Sequence, residues 1–157
     1  MEKFSLEFAT AIAESAHEGQ VDKNDVPYIF HPLGVMDMVQ GEDAKTVALL
    51  HDVLEDSDLT PNDLRELGCP DHVLVAVELV THGLDYDDTH EGYFRDIQRI
   101  ADSKNQLAID VKFADITHNS DQTRISNPTD RDFKRWGKYV IARDMLKPLV
   151  SDYLRDI

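Results

Sequence analysis

Apolar residues recur along this chain at intervals of three and four, the period of an amphipathic helix. Phe4, Phe8, Ala11 and Ile12 mark one helix that reaches His17 and is closed by Gly19. The polar stretch from Gln20 to Pro27 reads as a loop. A second helix is predicted from about Pro32, a favourable first-turn residue, to Val39, with Gly41 ending it. A third covers Asp43 to about Asp56, with Asp43 as its N-cap. Thr60-Pro61 opens a fourth, with Asp63 in the capping-box position, and Gly68 stops it. Pro70 opens a fifth through the apolar run Val73 to Val80. Beyond an acidic loop, Gly83 to Thr89, an amphipathic helix runs from His90 to Ala101. The next spans Leu107 to about Arg124. Val111 and Phe113 are weak helix formers, so a strand at its start is an alternative. Asn127-Pro128 breaks the chain, and a helix over 132–146 with a short tail after Pro148 completes it. No two alternating runs flank a tight turn, so no sheet is expected. The pattern predicts an all-α bundle with residues 1–157 as a single domain, without repeats or a dividing linker.

Composition narrows the function classes. Sixteen Lys and Arg against 31 Asp and Glu leave a net charge of −15 among 157 residues. That balance argues against sequence-independent binding of nucleic acid and against a polybasic membrane-surface role, both of which need cationic side chains. An apolar share of 41% is too high for an acidic disordered chain. The single cysteine, Cys69, excludes an internal disulfide framework and a multi-cysteine zinc site, and reads as a small packing group. No apolar run approaches the roughly 18 residues of a membrane span, and Met1 to Ser5 does not begin a signal peptide. A soluble, cytoplasmic protein is expected.

The predicted helix from Lys45 to Asp56 carries an unusual polar face. At about 100° per residue, Val47, Leu49, Leu50, Val53 and Leu54 share one arc, while His51, Asp52, Glu55 and Asp56 share another of about 140°. No Lys or Arg offsets the three carboxylates there. The face is either a solvated acidic surface or a set of borderline and hard donors for a divalent metal. His31, between apolar Phe30 and Pro32, reads as a hydrogen-bonded structural residue or as a ligand. Asp115 follows Val-Lys-Phe-Ala in a stretch suited to burial, where a carboxylate needs a partner, and it sits three or four residues from Lys112 and Asn119. Together His31, His51, Asp52 and Asp115 offer two imidazoles and two carboxylates, suited to Mn²⁺, Fe²⁺ or Zn²⁺.

The order His, His-Asp, Asp resembles the HD-domain metal-dependent phosphohydrolases. The flanking segments His17-Glu18-Gly19-Gln20, Pro27 to Pro32, Ala48 to Asp56, and Val111 to Asp115 with His118-Asn119 resemble the hydrolase domain of Rel/SpoT-type alarmone proteins, most of all its stand-alone small form. The resemblance runs from about Phe8 to about Arg124. It implies an all-helical HD bundle in which His31, His51, Asp52 and Asp115 hold one metal, typically Mn²⁺. It implies that Glu55 and Asp56 orient and activate the attacking water, that Asn119 lies near the sugar-phosphate, and that Lys23 and Tyr28 line a nucleotide pocket. The implied reaction removes the 3′-pyrophosphate of ppGpp or pppGpp. The chain departs from the family's Arg-Lys-x-Gly segment: Asp22 stands at the Arg position and Asp25 at the Gly position. An arginine there would stack on a guanine nucleotide, whereas Asp22 would repel phosphate. Another nucleotide or phosphoester is therefore an alternative substrate. A non-catalytic nucleotide sensor is a third reading, against which the intact Glu55 and Asp56 argue.

The remaining candidates are read from their positions. Lys112 is either a phosphate contact or a helix-surface lysine. His118 reads as a neighbour of the ligands or a surface group. His82 and His90 flank a loop containing Asp85, Asp87 and Asp88, read as solvated rather than as a second metal site. His17 and His72 read as helix surface or core.

Overall fold

The computed structural model describes residues 3–83 and 86–157. Nine α-helices carry the described chain: α1 (Leu6–Ala16), α2 (Phe30–Met38), α3 (Glu42–Leu50), α4 (Val53–Asp56), α5 (Pro61–Glu66), α6 (Asp71–Val80), α7 (His90–Asp102), α8 (Gln106–Asn119) and α9 (Asp130–Leu146). Short 3-10 turns follow α8 and α9. Among the described residues the only β-type pairing is an isolated bridge between Val21 and Pro27. The alternative of a strand at the start of α8 is excluded: Val111 and Phe113 lie mid-helix, buried on all sides, where packing outweighs their weak propensity.

Two helices form the centre. α3 packs against α1, α2, α6 and α8, and α8 packs against α2, α3, α6 and α9. Every residue of α8 from Ala108 to Ile116 is buried, so this helix has no solvent face to carry its charges. Each of its three buried ionic groups has a partner, as burial demands. Asp110 accepts hydrogen bonds from the Ser151 backbone (2.9 Å) and hydroxyl (2.5 Å), tying down the C-terminal tail. Lys112 and Asp115 pair with each other one turn further along the helix.

Local chemistry sets the element ends. Ser5 caps α1, accepting from the Phe8 backbone at 3.1 Å. The Thr60–Asp63 capping box holds α5 as predicted. α2 begins at Phe30, earlier than Pro32, because a proline in the first turn forgoes only a hydrogen bond the helix does not make there. This places His31 inside the helix. The predicted helix 43–56 is two helices. Gly41, at φ 91°, precedes α3 in the cap position predicted for Asp43, which instead lies in the first turn. The chain then turns at His51-Asp52, with Asp52 at φ −105°, ψ −1°, before α4 starts. No described helix is long and apolar enough to cross a membrane.

Candidate metal centre and adjoining cavities

α2, α3 and α8 converge on one point. His31 comes from the first turn of α2, His51 and Asp52 from the turn that ends α3, and Asp115 from α8. The Nε2 atoms of His31 and His51 are 3.2 Å apart. Asp115 Oδ1 lies 2.9 Å from His31 Nε2 and 3.4 Å from His51 Nε2. Asp52 Oδ2 lies 3.0 Å from His51 Nε2 and 3.8 Å from His31 Nε2. With metal–donor bonds near 2.1 Å, adjacent donors of an octahedral site are separated by about 3.0 Å. The donor atoms of His31, His51 and Asp52 all lie within 4.8 Å of one another. Asp115 joins it through its contacts with both imidazoles.

The polar partners of the two rings test whether a cation belongs there. His51 Nδ1 lies 2.6 Å from the Ala48 carbonyl, so this nitrogen carries a proton and Nε2 faces the cluster; against burial, which lowers it, Asp52 and Asp115 raise the ring's pKa well above its ordinary value. His31 Nδ1 lies 2.7 Å from His118 Nδ1. Burial, then the nearby His31 ring, lowers the His118 pKa to about 4. His31 also turns its Nε2 inward, towards His51 and Asp115. Two imidazole nitrogens and two carboxylates face one point, where a proton or a metal cation offsets their crowding. The donor set fits a divalent metal.

The surroundings tune these groups. Burial would raise the pKa of Asp115, but Lys112 and His51 hold it well below the carboxylate range. Lys112 Nζ donates to Asp115 Oδ2 at 3.1 Å, and Asn119 Nδ2 donates to Oδ1 at 3.1 Å. The reading of Lys112 as a helix-surface lysine is thus corrected: it is buried, charged and paired. The Tyr28 hydroxyl donates to Asp52 Oδ2 at 2.6 Å, and burial together with that carboxylate raises its pKa. Burial also raises the Glu55 pKa, against the lowering effect of the His82 N–H donated to Oε1 at 2.7 Å. Burial, then the charge of Asp52, raises that of Asp56. The Asp56 carbonyl accepts from Gln20.

Two adjoining cavities share walls. A polar cavity of about 260 Å³ is lined by Asp52, Glu55, His82, Lys112, Asp115 and Lys138. A larger one of about 400 Å³ is lined by Asp22, Lys23, Arg124, Ile125 and Trp136. Tyr28, Asn119, Arg135 and Tyr139 line both. Lys23 Nζ pairs with Asp132 Oδ1 at 2.5 Å, and Asp132 Oδ2 also accepts from the Thr129 backbone, so one carboxylate caps α9 and anchors the loop lysine. Asp22 Oδ1 accepts from the Asn24 and Val26 backbones, bracing the loop in which Asp25 takes φ 60°. That left-handed conformation favours glycine and is tolerated by aspartate.

Sequence reasoning did not single out Arg135, Trp136 or Lys138, nor give Tyr139 a place at the site. The 135, 138, 139 spacing of two cations and an aromatic on one helical face was the available signal. His82 also stands at the site and not in a solvated loop. Its ring pairs with buried Asp96 and faces Glu55. Asp87 and Asp88 flank it at the surface, and Asp85 lies outside the described residues. His17, read as surface or core, is buried, with its Nδ1 2.9 Å from Gln20 Oε1.

The chain is similar to a guanosine-3′,5′-bis(diphosphate) 3′-pyrophosphohydrolase of Haemophilus influenzae, 31% identical over 115 residues that make up 69% of this chain and 17% of that protein. It is 33% identical over 121 residues to the bifunctional (p)ppGpp synthase/hydrolase SpoT of Escherichia coli, covering 73% of this chain and 17% of the relative. The chain thus spans about a sixth of the length of these curated relatives. A solved structure, described as a metazoan ortholog of SpoT that hydrolyzes ppGpp, superposes with a TM-score of 0.80 over 99% of this chain and 92% of that one, at 24% identity. The chain carries a Rel/SpoT-type HD domain. No protein-family model matches it. The all-α architecture is that of the HD fold, and in this HD domain the His51-Asp52 pair occupies the turn between α3 and α4.

Proposed function

We propose that this chain is a metal-dependent phosphohydrolase that removes the 3′-pyrophosphate of guanosine alarmones, converting ppGpp or pppGpp to GDP or GTP and pyrophosphate. The observation that carries this reading is the inward-facing donor set of His31, His51, Asp52 and Asp115, opening onto a cavity walled by Glu55 and by the cations Lys112, Arg135 and Lys138. The activities named for the relatives support it. Mn²⁺ is the metal of this reading, with Fe²⁺ and Zn²⁺ suited to the same donors. Held by His31, His51, Asp52 and Asp115, such an ion would supply acidification of the attacking water and neutralisation of phosphoryl charge.

The chain's own residues do the rest. Glu55, whose pKa burial raises, takes the proton from the attacking water, and Asp56 beside it orients that water. As the water oxygen bonds to phosphorus, the bond from phosphorus to the ribose 3′ oxygen breaks and that oxygen takes up a proton from solvent. Lys112 and Arg135 face the phosphate charge. Tyr28 and Asn119, which line both cavities, position the sugar, and Lys23 borders the space for the nucleoside. The partner in this reading is a cytoplasmic small-molecule nucleotide.

One observation favours a second reading, hydrolysis of a different nucleotide or phosphoester. Asp22 lines the larger cavity where an arginine would clamp a guanine, and its carboxylate is committed to the loop backbone. Incubating the purified protein and Mn²⁺ with ppGpp and a nucleotide panel, while measuring pyrophosphate and phosphate, separates the two. Pyrophosphate from ppGpp is expected, with Glu55→Gln at least about 100-fold slower though still binding metal. Turnover of another nucleotide alone would select the second reading. No turnover of any by metal-loaded protein would end both.

A further inference from the structure

The mechanism above leaves a proton on Glu55 and uses none of the groups behind it. Those groups form a continuous chain. Glu55 Oε1 accepts the His82 backbone N–H, and Oε2 lies 3.8 Å from His82 Nε2. On the far side of the ring, His82 Nδ1 lies 3.1 Å from Asp96 Oδ2. Asp96 is buried and held by Arg99 through Nε (3.1 Å) and Nη2 (2.9 Å). Arg99 Nη2 is itself fixed by the carbonyls of Leu79 (2.8 Å) and Thr81 (3.1 Å) at the end of α6. The ring also stacks on Tyr86, with centroids 3.7 Å apart and planes within 2°.

Building on the hydrolase reading, we propose that His82, oriented by Asp96 and Arg99, is a positioning and proton-accepting residue that fixes Glu55 and relieves it of the proton taken from the attacking water. Asp96 as acceptor keeps the proton of the neutral ring on Nδ1, so the Nε2 lone pair points towards Glu55. This is the base-and-orienter arrangement by which a carboxylate sets an imidazole's tautomer. In the transfer, the O–H bond of protonated Glu55 breaks as the Nε2–H bond forms. Asp96 stabilises the resulting imidazolium, which returns the proton to solvent through a side chain that is 31% exposed. The 3.8 Å separation needs an adjustment of about 1 Å to reach hydrogen-bond distance, as catalytic contacts do when substrate binds. A purely structural role for His82, through its backbone N–H, its contact with Asp96 and its stacking on Tyr86, predicts no rescue by added imidazole.

That difference gives the test. In Mn²⁺-loaded protein turning over ppGpp, His82→Ala and the bulkier His82→Gln are expected to lower kcat by about 10- to 100-fold with KM within about threefold. Added imidazole should restore activity to His82→Ala and leave Glu55→Gln unchanged. Independently of turnover, ¹⁵N NMR of the protein should show the Nδ1–H tautomer of His82, lost in Asp96→Asn. Wild-type kcat in both His82 variants, an unrescued loss in folded His82→Ala, or an Nε2–H tautomer would each overturn the relay while leaving the hydrolase reading in place. A wild-type protein inert towards ppGpp and the panel would overturn the hydrolase reading and the relay with it.

Discussion

At the scale of single residues, the site is governed by charges that burial would expel unless each had a partner. Asp115 is the clearest case, serving both imidazoles and Lys112 at once. Asp115→Asn should leave Lys112 buried without its counter-ion, costing about 3 kcal/mol in urea unfolding, and should weaken Mn²⁺ binding measured by calorimetry at least about tenfold. Unchanged metal affinity would remove Asp115 from the donor set. His118 gives a pH-dependent test. Its pKa near 4 in the folded protein lies below the roughly 6.5 of an unfolded chain, so between these values only the unfolded state is protonated. Stability should therefore fall as pH drops from 7 towards 4. His118→Gln should remove about 1 kcal/mol of the difference in unfolding free energy between pH 7 and pH 5, allowing for screening of the half-buried ring. The four residues that converge were legible in the sequence as candidates because His-Asp adjacency on a face without cations, and a carboxylate set in an apolar run, are local patterns. His82 was not, because its partners Glu55 and Asp96 lie 27 and 14 residues away.

At the scale of elements, close approach of α2 and α8 positions the site. A Cβ on Gly34 would lie 2.3 Å from His118 Nε2, so the glycine lets the imidazole that orients His31 fit beneath α2. Gly34→Ala is expected to lower stability by about 1 to 3 kcal/mol and to weaken Mn²⁺ affinity, read by thermal unfolding and calorimetry. Stability loss with metal affinity intact would show that His118 does not orient the ligand. Most helices were readable from their three- and four-residue periodicity, and the α5 capping box from its residues alone. The division of α3 from α4 was not, because Val53 and Leu54 continue the apolar arc across it. The turn there serves tertiary packing of His51 and Asp52 against α2 and α8, which no local pattern encodes. The role of α9 stayed hidden for a related reason. Its cations and aromatics resemble a solvated helical face until the fold brings them beside α8.

At the scale of the whole molecule, the proposed hydrolysis requires a chain of net charge −15 to attract a polyanion. Lys112, Arg135 and Lys138 bring cations into a cavity that Asp52, Glu55, Asp88 and Asp115 also line, and long-range repulsion remains and is screened by salt. Raising ionic strength from about 20 to 150 mM at saturating Mn²⁺ should increase kcat/KM for ppGpp a few-fold. A flat or falling response would show that the local cations dominate the approach. The all-α architecture was legible because helical periodicity and the absence of paired alternating runs act over the whole length. The turn at His51-Asp52 has a further consequence for how this protein can be improved. Substitutions chosen to make that stretch a better helix would straighten it and swing two neighbouring side chains about 100° apart, so that they no longer aim at one point. Sequences selected for thermal robustness alone would drift towards such replacements and lose the metal, and a screen scoring both properties should find this the least improvable part of the chain.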